Sequence, residues 1–213
     1  MFENLKIESH DYTLDLTEDY ECSHNVSIQI GILIKAYGQM GMLDKAFEIF
    51  RDHQAKAIKT KVNNDITFGC LIDACVRNSQ IQKAESIFHE IVTKGTTAPN
   101  TVIYTTMIKA YSRTFNLQKA LEIYYIMISP EGQENIEPNI ITFNSIIDCC
   151  VRCGEIDQAT QIFEYMRNKS IANPFDSYYG VSRGIKPDLI TFSTLIKGHC
   201  RCKNIEQALI LHE

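Results

Sequence analysis

Apolar and polar positions along this chain follow a helical spacing, and the same arrangement occurs five times. In residues 65–100, one apolar series is followed by a short polar turn and then by a second apolar series. Its members are Phe68, Leu71, Ile72 and Cys75, then Ile81, Ala84, Ile87, Phe88 and Ile91. Intervals of three and four residues predict amphipathic helices. Two such helices joined by a short turn form an αα-hairpin, so we predict this as the basic unit.

Five alanines mark the register of the units: Ala46, Ala84, Ala120, Ala159 and Ala208. Sixteen residues before each alanine lies a bulky residue: Ile30, Phe68, Tyr104, Phe143 and Phe192. The alanines are separated by 38, 36, 39 and 49 residues, a period typical of stacked repeats. We therefore predict an all-α solenoid of at least nine helices, with Phe68, Tyr104, Phe143, Ala84, Ala120 and Ala159 buried.

The predicted repeats span residues 27–64, 65–100, 101–139, 140–188 and 189–213. The fourth contains a loop insertion near 168–184, and the fifth is truncated inside its second helix, so we expect a fragment of a longer array. Residues 1–26 form an acidic N-terminal segment, expected to be disordered or partly helical. Residues 1–25 hold seven acids and one lysine, the reverse of an Arg-rich transit peptide, so no transit peptide is visible.

Composition and candidate chemistry narrow the classes of protein. The formal charge of −5 argues against nonspecific nucleic-acid binding by the whole surface, and no apolar run approaches a bilayer-spanning length. Eight cysteines without a secretory signal predict reduced thiols inside a cell. Cys150, Cys153, Cys200 and Cys202 fall within predicted helices, without a second ligand pair at zinc-finger spacing. We expect no metal or cofactor and, since no catalytic constellation emerges, no enzyme activity.

Four segments that open first helices share one motif: Ile66–Ile72, Val102–Ile108, Ile141–Ile147 and Ile190–Ile196. With the repeat ending Gly184-Ile-Lys-Pro-Asp188, they resemble the pentatricopeptide repeat family over about residues 27–213. A tetratricopeptide pattern fits less well, because the chain has no Trp. The resemblance implies a right-handed solenoid of helix-turn-helix repeats in a mitochondrion or other organelle. It also implies binding of single-stranded RNA along the first helices, one base per repeat, with the amino end toward the RNA 5′ end.

In that family, the residue after the aromatic and the last residue of the repeat choose the base. The resemblance assigns the pairs Gly31/Asn64, Gly69/Asn100, Thr105/Asn139 and Asn144/Asp188, and Ser193 without a partner in this chain. It implies adenine for the third pair and uracil for the fourth, whereas glycine offers no side chain to a base. Asn and Asp also favour helix N-caps, which is the structural alternative for the terminal residues. Beside inward-facing aromatics, we expect Thr105 and Asn144 to point away from the packed face.

A β-branched residue lies two places before each aromatic position. The family resemblance implies that these residues sandwich the bases, while ordinary packing between hairpins is the alternative. Those assigned to base sandwiching are Ile66, Val102, Ile141 and Ile190.

Arginine recurs nine residues after the bulky position in four of the five repeats: Arg77, Arg113, Arg152 and Arg201. Stacking the repeats would align them as a stripe that contacts phosphates, despite the acidic total. Asp73 and Asp148 lie four residues earlier and would weaken the stripe. The alternative is a solvated face balanced by acids of the second helices.

The sequence thus predicts a sequence-selective module that binds single-stranded RNA, belonging to an RNA-processing or RNA-stability factor. Protein partners are compatible with this hypothesis, and a membrane is not expected. Two alternatives stay open: a protein-binding α-solenoid scaffold, and the substrate-positioning arm of a larger RNA-processing enzyme.

Overall fold

The computed structural model describes residues 20–60, 65–94, 99–128, 136–171 and 185–212. Ten α-helices and no strand occur in these ranges: α1 (Tyr20–Gln39), α2 (Leu43–Thr60), α3 (Asp65–Arg77), α4 (Ile81–Lys94), α5 (Thr101–Arg113), α6 (Leu117–Ile128), α7 (Ile140–Cys153), α8 (Ile156–Ile171), α9 (Leu189–Arg201) and α10 (Ile205–His212). They form five hairpins, with odd-numbered first helices and even-numbered second helices. The predicted all-α, right-handed solenoid of helix-turn-helix repeats is confirmed.

The boundaries of the array depart slightly from the predicted repeats. Helix α1 begins at Tyr20, so it includes the end of the acidic segment 1–26. Helix α8 continues to Ile171, four residues into the predicted insertion. The remaining parts of both segments, residues 1–19 and 172–184, lie outside the described residues.

The hairpins stack in two layers. Each first helix contacts the first helix of the next repeat, and each second helix contacts the next first helix as well as its own partner. Among the ten helices described, consecutive second helices lack such close backbone approach and meet through long side chains, such as Lys119 of α6 with Glu85 of α4. The first helices therefore lie closer together than the second helices, which curves the stack and places the first helices on its concave side.

Small residues permit this close approach of the first helices. A Cβ atom on Gly38 of α1 would lie 2.5 Å from the Cβ atom of Ala74 in α3. At the other end of the array, a Cβ atom on Gly198 of α9 would lie 2.8 Å from a methyl carbon of Val151 in α7. Larger side chains would overpack these crossings, at a cost of about 1–3 kcal/mol.

The predicted core is confirmed: Phe68, Tyr104, Phe143, Ala84, Ala120 and Ala159 are all buried. The structure adds an aromatic contact at each junction between repeats that the sequence pattern did not reveal. The residue four places after each alanine meets the aromatic residue of the next repeat: Phe50–Phe68 at 4.8 Å between ring centroids, Phe88–Tyr104 at 5.3 Å, Tyr124–Phe143 at 5.9 Å and Phe163–Phe192 at 5.6 Å. All four are edge-to-face, a geometry that adds about 0.5–1.5 kcal/mol to area burial.

Every first helix ends in the same reversal. The residue eleven places after each bulky position has a positive φ angle in all five repeats: Gly41 (75°), Ser79 (59°), Phe115 (55°), Gly154 (85°) and Lys203 (60°). The next backbone N–H then donates back to a carbonyl of the last helical turn, as from Asn116 to Tyr111 at 3.0 Å. This Schellman geometry favours glycine, because a Cβ atom crowds the left-handed backbone. Phe115 is the bulkiest residue among the five.

Candidate nucleic-acid interface

Three of the terminal residues assigned to base reading are helix N-caps. The side-chain oxygens of Asn100, Asn139 and Asp188 accept the backbone N–H three residues later, at 3.1, 3.0 and 2.9 Å. Capping, the structural alternative for these residues, is therefore observed at each. Asn64 lies outside the described residues.

Each assigned pair brackets a space between two consecutive first helices, which we call a slot. Slots 2 to 4 are bracketed by Gly69/Asn100, Thr105/Asn139 and Asn144/Asp188, and slot 1 is the equivalent space beside Gly31, between α1 and α3. Ser193 of α9 is exposed, and its hydroxyl donates to the Ile190 carbonyl at 3.1 Å.

Slot 4 is filled by a hydrogen-bonded cluster of three side chains. The Asn144 amide donates to Asp188 Oδ1 at 3.0 Å, and the Thr191 hydroxyl donates to Asn144 Oδ1 at 2.6 Å. The backbone N–H of Asp188 donates in turn to Thr191 Oγ1 at 3.1 Å. Hydrogen bonds from the Thr191 backbone, and also from Asn144, lower the pKa of the Asp188 carboxyl. The two members of the assigned pair, 44 residues apart in sequence, are thus in direct contact.

Slot 3 has the same arrangement with a shorter side chain. The hydroxyls of Thr105 and Thr142 lie 2.7 Å apart, and Thr142 donates to Asn139 Oδ1 at 3.2 Å. Thr105 is only 5% exposed. The expectation that Thr105 points away from the packed face is therefore wrong: a hydroxyl on the adjacent first helix draws it into the contact between repeats. Asn144, in the equivalent place, is half-buried.

Thr142 and Thr191 were not singled out in the sequence, although each links the two members of its pair. Each is the third residue of its first helix and completes a reciprocal capping box with its N-cap residue. The signal was available, since an N-cap residue followed three places later by a polar residue marks such a box. What the spacing did not show is that the same hydroxyl also contacts the preceding repeat.

Slot 2 lacks this cluster. Ile103 takes the place of the bridging threonine at slot 2, and the Asn100 amide donates instead to Asp65 Oδ2 at 3.1 Å. A Cβ atom on Gly69 would meet Ile103 at 3.6 Å, an ordinary contact. At slot 1 the space is tighter, because a Cβ atom on Gly31 would lie 3.2 Å from both Cys70 Sγ and Ile66 Cγ2.

The β-branched residues assigned to base sandwiching differ in how far their side chains are exposed. Val102, Ile141 and Ile190 are 63%, 52% and 60% exposed, whereas Ile66 is half-buried beside Gly31. Packing between hairpins does not account for the three exposed side chains. They form a series of apolar side chains, one per repeat, beside the N-caps of α5, α7 and α9.

The four arginines lie in the last turns of α3, α5, α7 and α9, and all are exposed. Arg77 and Arg113 line one depression of about 530 Å³, at the turns that end the first helices. Arg152 and Arg201 line a second, of about 480 Å³. Arg113 also donates to the Val76 carbonyl of the preceding repeat at 3.2 Å. Neighbouring repeats thus bring their arginines together in pairs.

Acidic neighbours modulate this line of charge. Asp73 pairs with Arg77 at 2.6 Å, and Asp148 lies 3.9 Å from Arg152. The equivalent positions in the third and fifth repeats are occupied by Lys109 and Lys197. The weakening expected from the two aspartates therefore falls on alternate repeats, while the third and fifth carry two cations each.

The cysteines are distributed between the core and the surface. Cys150 is buried, and burial raises the pKa of its thiol to about 12; Cys200 and Cys202 are exposed. Within the described ranges, no three His, Cys, Asp or Glu side chains converge as metal ligands. None of the helices there combines the length and apolarity needed to cross a bilayer.

Comparison with family models places the repeats in a known group. Models of the pentatricopeptide repeat match residues 31–52, 66–96, 86–152, 138–174 and 183–212. A mitochondrial pentatricopeptide repeat-containing protein of Arabidopsis thaliana is 26% identical over 146 residues, covering 68% of this chain and 32% of the relative. The chain spans only 15–33% of the length of the curated relatives it matches first.

Two solved structures share the fold at lower identity. The pentatricopeptide repeat domain of protein-only RNase P 1 from Arabidopsis thaliana, in complex with tRNA, has a TM-score of 0.61 and 13% identity, covering 86% of both chains. The maize protein PPR10, in complex with an 18-nucleotide psaJ RNA element, has a TM-score of 0.53 and 19% identity. That match covers 87% of this chain and 29% of the maize protein. At these identities the likeness establishes the fold of the stack.

Proposed function

The chain belongs to the pentatricopeptide repeat family, and from this premise we propose that it binds single-stranded RNA with base selectivity. It would act as one module of an RNA-processing or RNA-stability factor. Two related structures were solved with RNA, one with an 18-nucleotide element and one with tRNA. A relative named mitochondrial supports an organelle as the place of action.

The observation that carries the proposal is the shared depression at the end of the array. Ser193, assigned to base reading, lines it together with Arg152 and Arg201, both assigned to phosphates. A base edge and its backbone phosphate lie close enough together to be contacted within one such space. Single-stranded RNA is recognised by splaying bases out and contacting their edges, which requires this proximity.

The exposed β-branched series supports the same proposal. Val102, Ile141 and Ile190 each present more than half of their surface to solvent. A base entering slot 3 or slot 4 would bury this apolar surface against its faces. Burial contributes roughly 25 cal/mol for each Å² removed from water, which would favour one base between each two successive residues.

Base identity would come from slots 3 and 4. The clusters there already hold hydrogen-bonding groups in fixed positions, so a base would exchange these bonds rather than order free side chains. We propose that Thr105/Asn139 selects adenine and Asn144/Asp188 selects uracil. Asn100 would contribute at slot 2 without a partner on Gly69.

Fluorescence anisotropy with labelled single-stranded RNA tests the proposal. Four arginine–phosphate contacts predict a log–log salt slope near −3, because each contributes about −0.7. Replacing Arg113 and Arg152 with Gln should weaken binding to all sequences alike and reduce the slope by about 1.4. Asp148→Asn is the matched variant of opposite sign, since it frees Arg152 and should tighten binding.

A protein-binding scaffold predicts a different outcome. It would show no preference between adenine and uracil homopolymers and no dependence of RNA affinity on the arginines. The arm of a larger enzyme predicts binding of folded RNA in preference to single strands. Competition between a single-stranded 12-mer and tRNA separates that alternative.

A further inference from the structure

Phe115 occupies a backbone conformation that suits its residue type poorly. Its φ angle is 55°, in the left-handed region, where the equivalent residues of the first and fourth repeats are Gly41 and Gly154. Bulky side chains are uncommon there because the Cβ atom crowds the backbone. The ring is also 61% exposed, so its burial offsets little of the cost of this backbone conformation. Neither local conformation nor core packing explains an aromatic residue at this turn.

The ring is held by a residue of the next repeat. The guanidinium of Arg152 lies over the Phe115 ring, 5.2 Å from its centroid. Such cation–π contacts attract the cation to one face of the ring. Phe115 and Arg152 thus form a stacked pair that spans two repeats, and the exposed ring of Phe115 gives this pair a flat apolar surface.

This surface borders a cationic depression. Besides Phe115 and Arg152, the depression is lined by Ser193, Lys197 and Arg201. Three cations against the single carboxylate of Asp148 give it a net positive charge. Exposed aromatic residues within positively charged grooves are the usual arrangement for single-stranded nucleic acids, whose bases stack on the rings while the cations meet phosphates.

We propose that Phe115 and Arg152 form a stacking platform for one nucleobase of single-stranded RNA, beside slot 4. The platform holds a base by its face, without reading its edge, so it adds affinity with little base preference. It rests on the proposed function and assigns a role to a turn residue outside the base-reading pairs.

The variant Phe115→Gly separates binding from folding, because the two effects have opposite signs. Glycine suits the left-handed turn, so the thermal midpoint should rise. Affinity for a fluorescein-labelled A10 single strand should fall roughly tenfold, the loss typical of one stacked base. Ser79→Gly, at the same turn of the second repeat, is the matched control. It should raise the midpoint and leave RNA affinity unchanged.

A second variant detects the stacking directly. The chain contains no Trp, so Phe115→Trp introduces a single tryptophan fluorophore. A10 should quench its emission, whereas a 10-mer of abasic ribose phosphates, with a similar charge, should quench it much less. Unquenched emission at saturating A10, with Phe115→Gly binding as tightly as the parent, would overturn the platform while leaving the proposed function standing.

Two further outcomes are distinct from that one. If the parent protein binds no single-stranded RNA at low salt, the proposed function fails and the platform with it. If deca-glutamate quenches the Phe115→Trp variant and A10 does not, the surface accepts an acidic peptide, which also overturns the platform.

Discussion

Slots 1 and 2 differ from slots 3 and 4 in the side chains between their first helices, although all four slots lie in a stack held by the same contacts between repeats. Each junction between repeats has an edge-to-face aromatic contact. Each turn within a repeat has a residue with a positive φ angle at the same position. Slots 3 and 4 contain hydrogen-bonded clusters, in which Thr142 and Thr191 link the members of each pair. Slots 1 and 2 instead present Gly31 and Gly69.

The contacts that hold the repeats together and the side chains that fill the slots are therefore separate sets of residues. The aromatic contacts lie between second and first helices, while the slots lie between first helices. A slot can therefore lose its polar cluster without loss of the stack around it. The slots that present glycine still differ from each other: Ile66 is half-buried beside Gly31, whereas Val102, its counterpart in the next repeat, is exposed.

The largest loss of stability should come from removing an aromatic contact between repeats. Phe50→Ala and Phe163→Ala, one at each end of the array, should each lower the free energy of unfolding by about 3–5 kcal/mol. Both rings are buried and both meet an aromatic of the next repeat. Urea denaturation followed by circular dichroism measures the loss. Phe50→Leu retains most of the volume and should cost below about 1.5 kcal/mol. A loss confined to one of the two alanine variants would show that the two ends of the array differ in the contacts between repeats as well as in their slots.

Removing the bridging hydroxyl should convert slot 4 toward the state of slot 2. Thr191→Val keeps the shape of the side chain but leaves Asn144 Oδ1 and the Asp188 N–H without their partner, at a cost of about 1–3 kcal/mol. Selectivity for uracil should fall with it. Thr194→Val is the control, because the Thr194 hydroxyl bonds only within its own helix. Equal stability of the two variants in urea would show that the cluster contributes nothing to the fold.

Adding a side chain should distinguish slot 2 from slot 1. Gly69→Asn has ordinary contact distance to Ile103 and should leave the free energy of unfolding within about 0.5 kcal/mol. Gly31→Asn meets Cys70 and Ile66 at closer range and should cost about 1–3 kcal/mol.

The function of the new side chain at Gly69 can then be measured. An Asn opposite Asn100 should create a roughly fivefold preference for cytosine over uracil, at the base 5′ of the adenine read by slot 3. Anisotropy with RNAs that differ at this one base provides the measurement. An unchanged preference would show that filling slot 2 does not suffice for reading.

Asp188→Asn tests base reading with little change in stability. Asparagine is an equally good N-cap, so the free energy of unfolding should change by only a few tenths of a kcal/mol. The amide donates as well as accepts, so slot 4 should shift from uracil toward cytosine, whose ring nitrogen accepts where that of uracil donates. Binding to RNA with 5′-AU-3′ is compared with binding to 5′-AC-3′. Identical discrimination by variant and parent would leave Asp188 as a cap alone.

The smallest expected effect is a change in thermal stability at acidic pH. The folded-state pKa of Asp188 lies below its ordinary value of 3.8. Its contribution to stability is therefore present above pH 3.8 and lost as the pH falls through the folded pKa. Asp188→Asn has no such group, so the difference in thermal midpoint between parent and variant should change between pH 5 and pH 3 in favour of the variant. A constant difference would contradict the lowered pKa.

Much of the fold followed from the chain alone. A recurring alanine and a bulky residue sixteen places earlier were enough to predict the hairpins, their register and the buried core. The same register predicted equivalent positions for the four arginines. The predicted orientation of the Thr105 side chain was wrong, because its exposure depends on which residue of the neighbouring repeat lies opposite it. No local spacing contains that information.

The equivalence of residues between repeats could be predicted from the sequence, because helical periodicity is a local property that repeats with the chain. Which residues contact each other depends on how neighbouring repeats pack. Contacts between repeats join residues about 35 to 47 positions apart in sequence, such as the side chains of Asn144 and Thr191, or the Arg113 guanidinium and the Val76 carbonyl. The contact of Phe115 with Arg152 is also one between repeats. The backbone conformation of Phe115 arises at the end of its own helix, whereas Arg152 comes from the next repeat. A stacked array forms its surface from neighbouring units, so the chemistry of each slot depends on how two repeats pack.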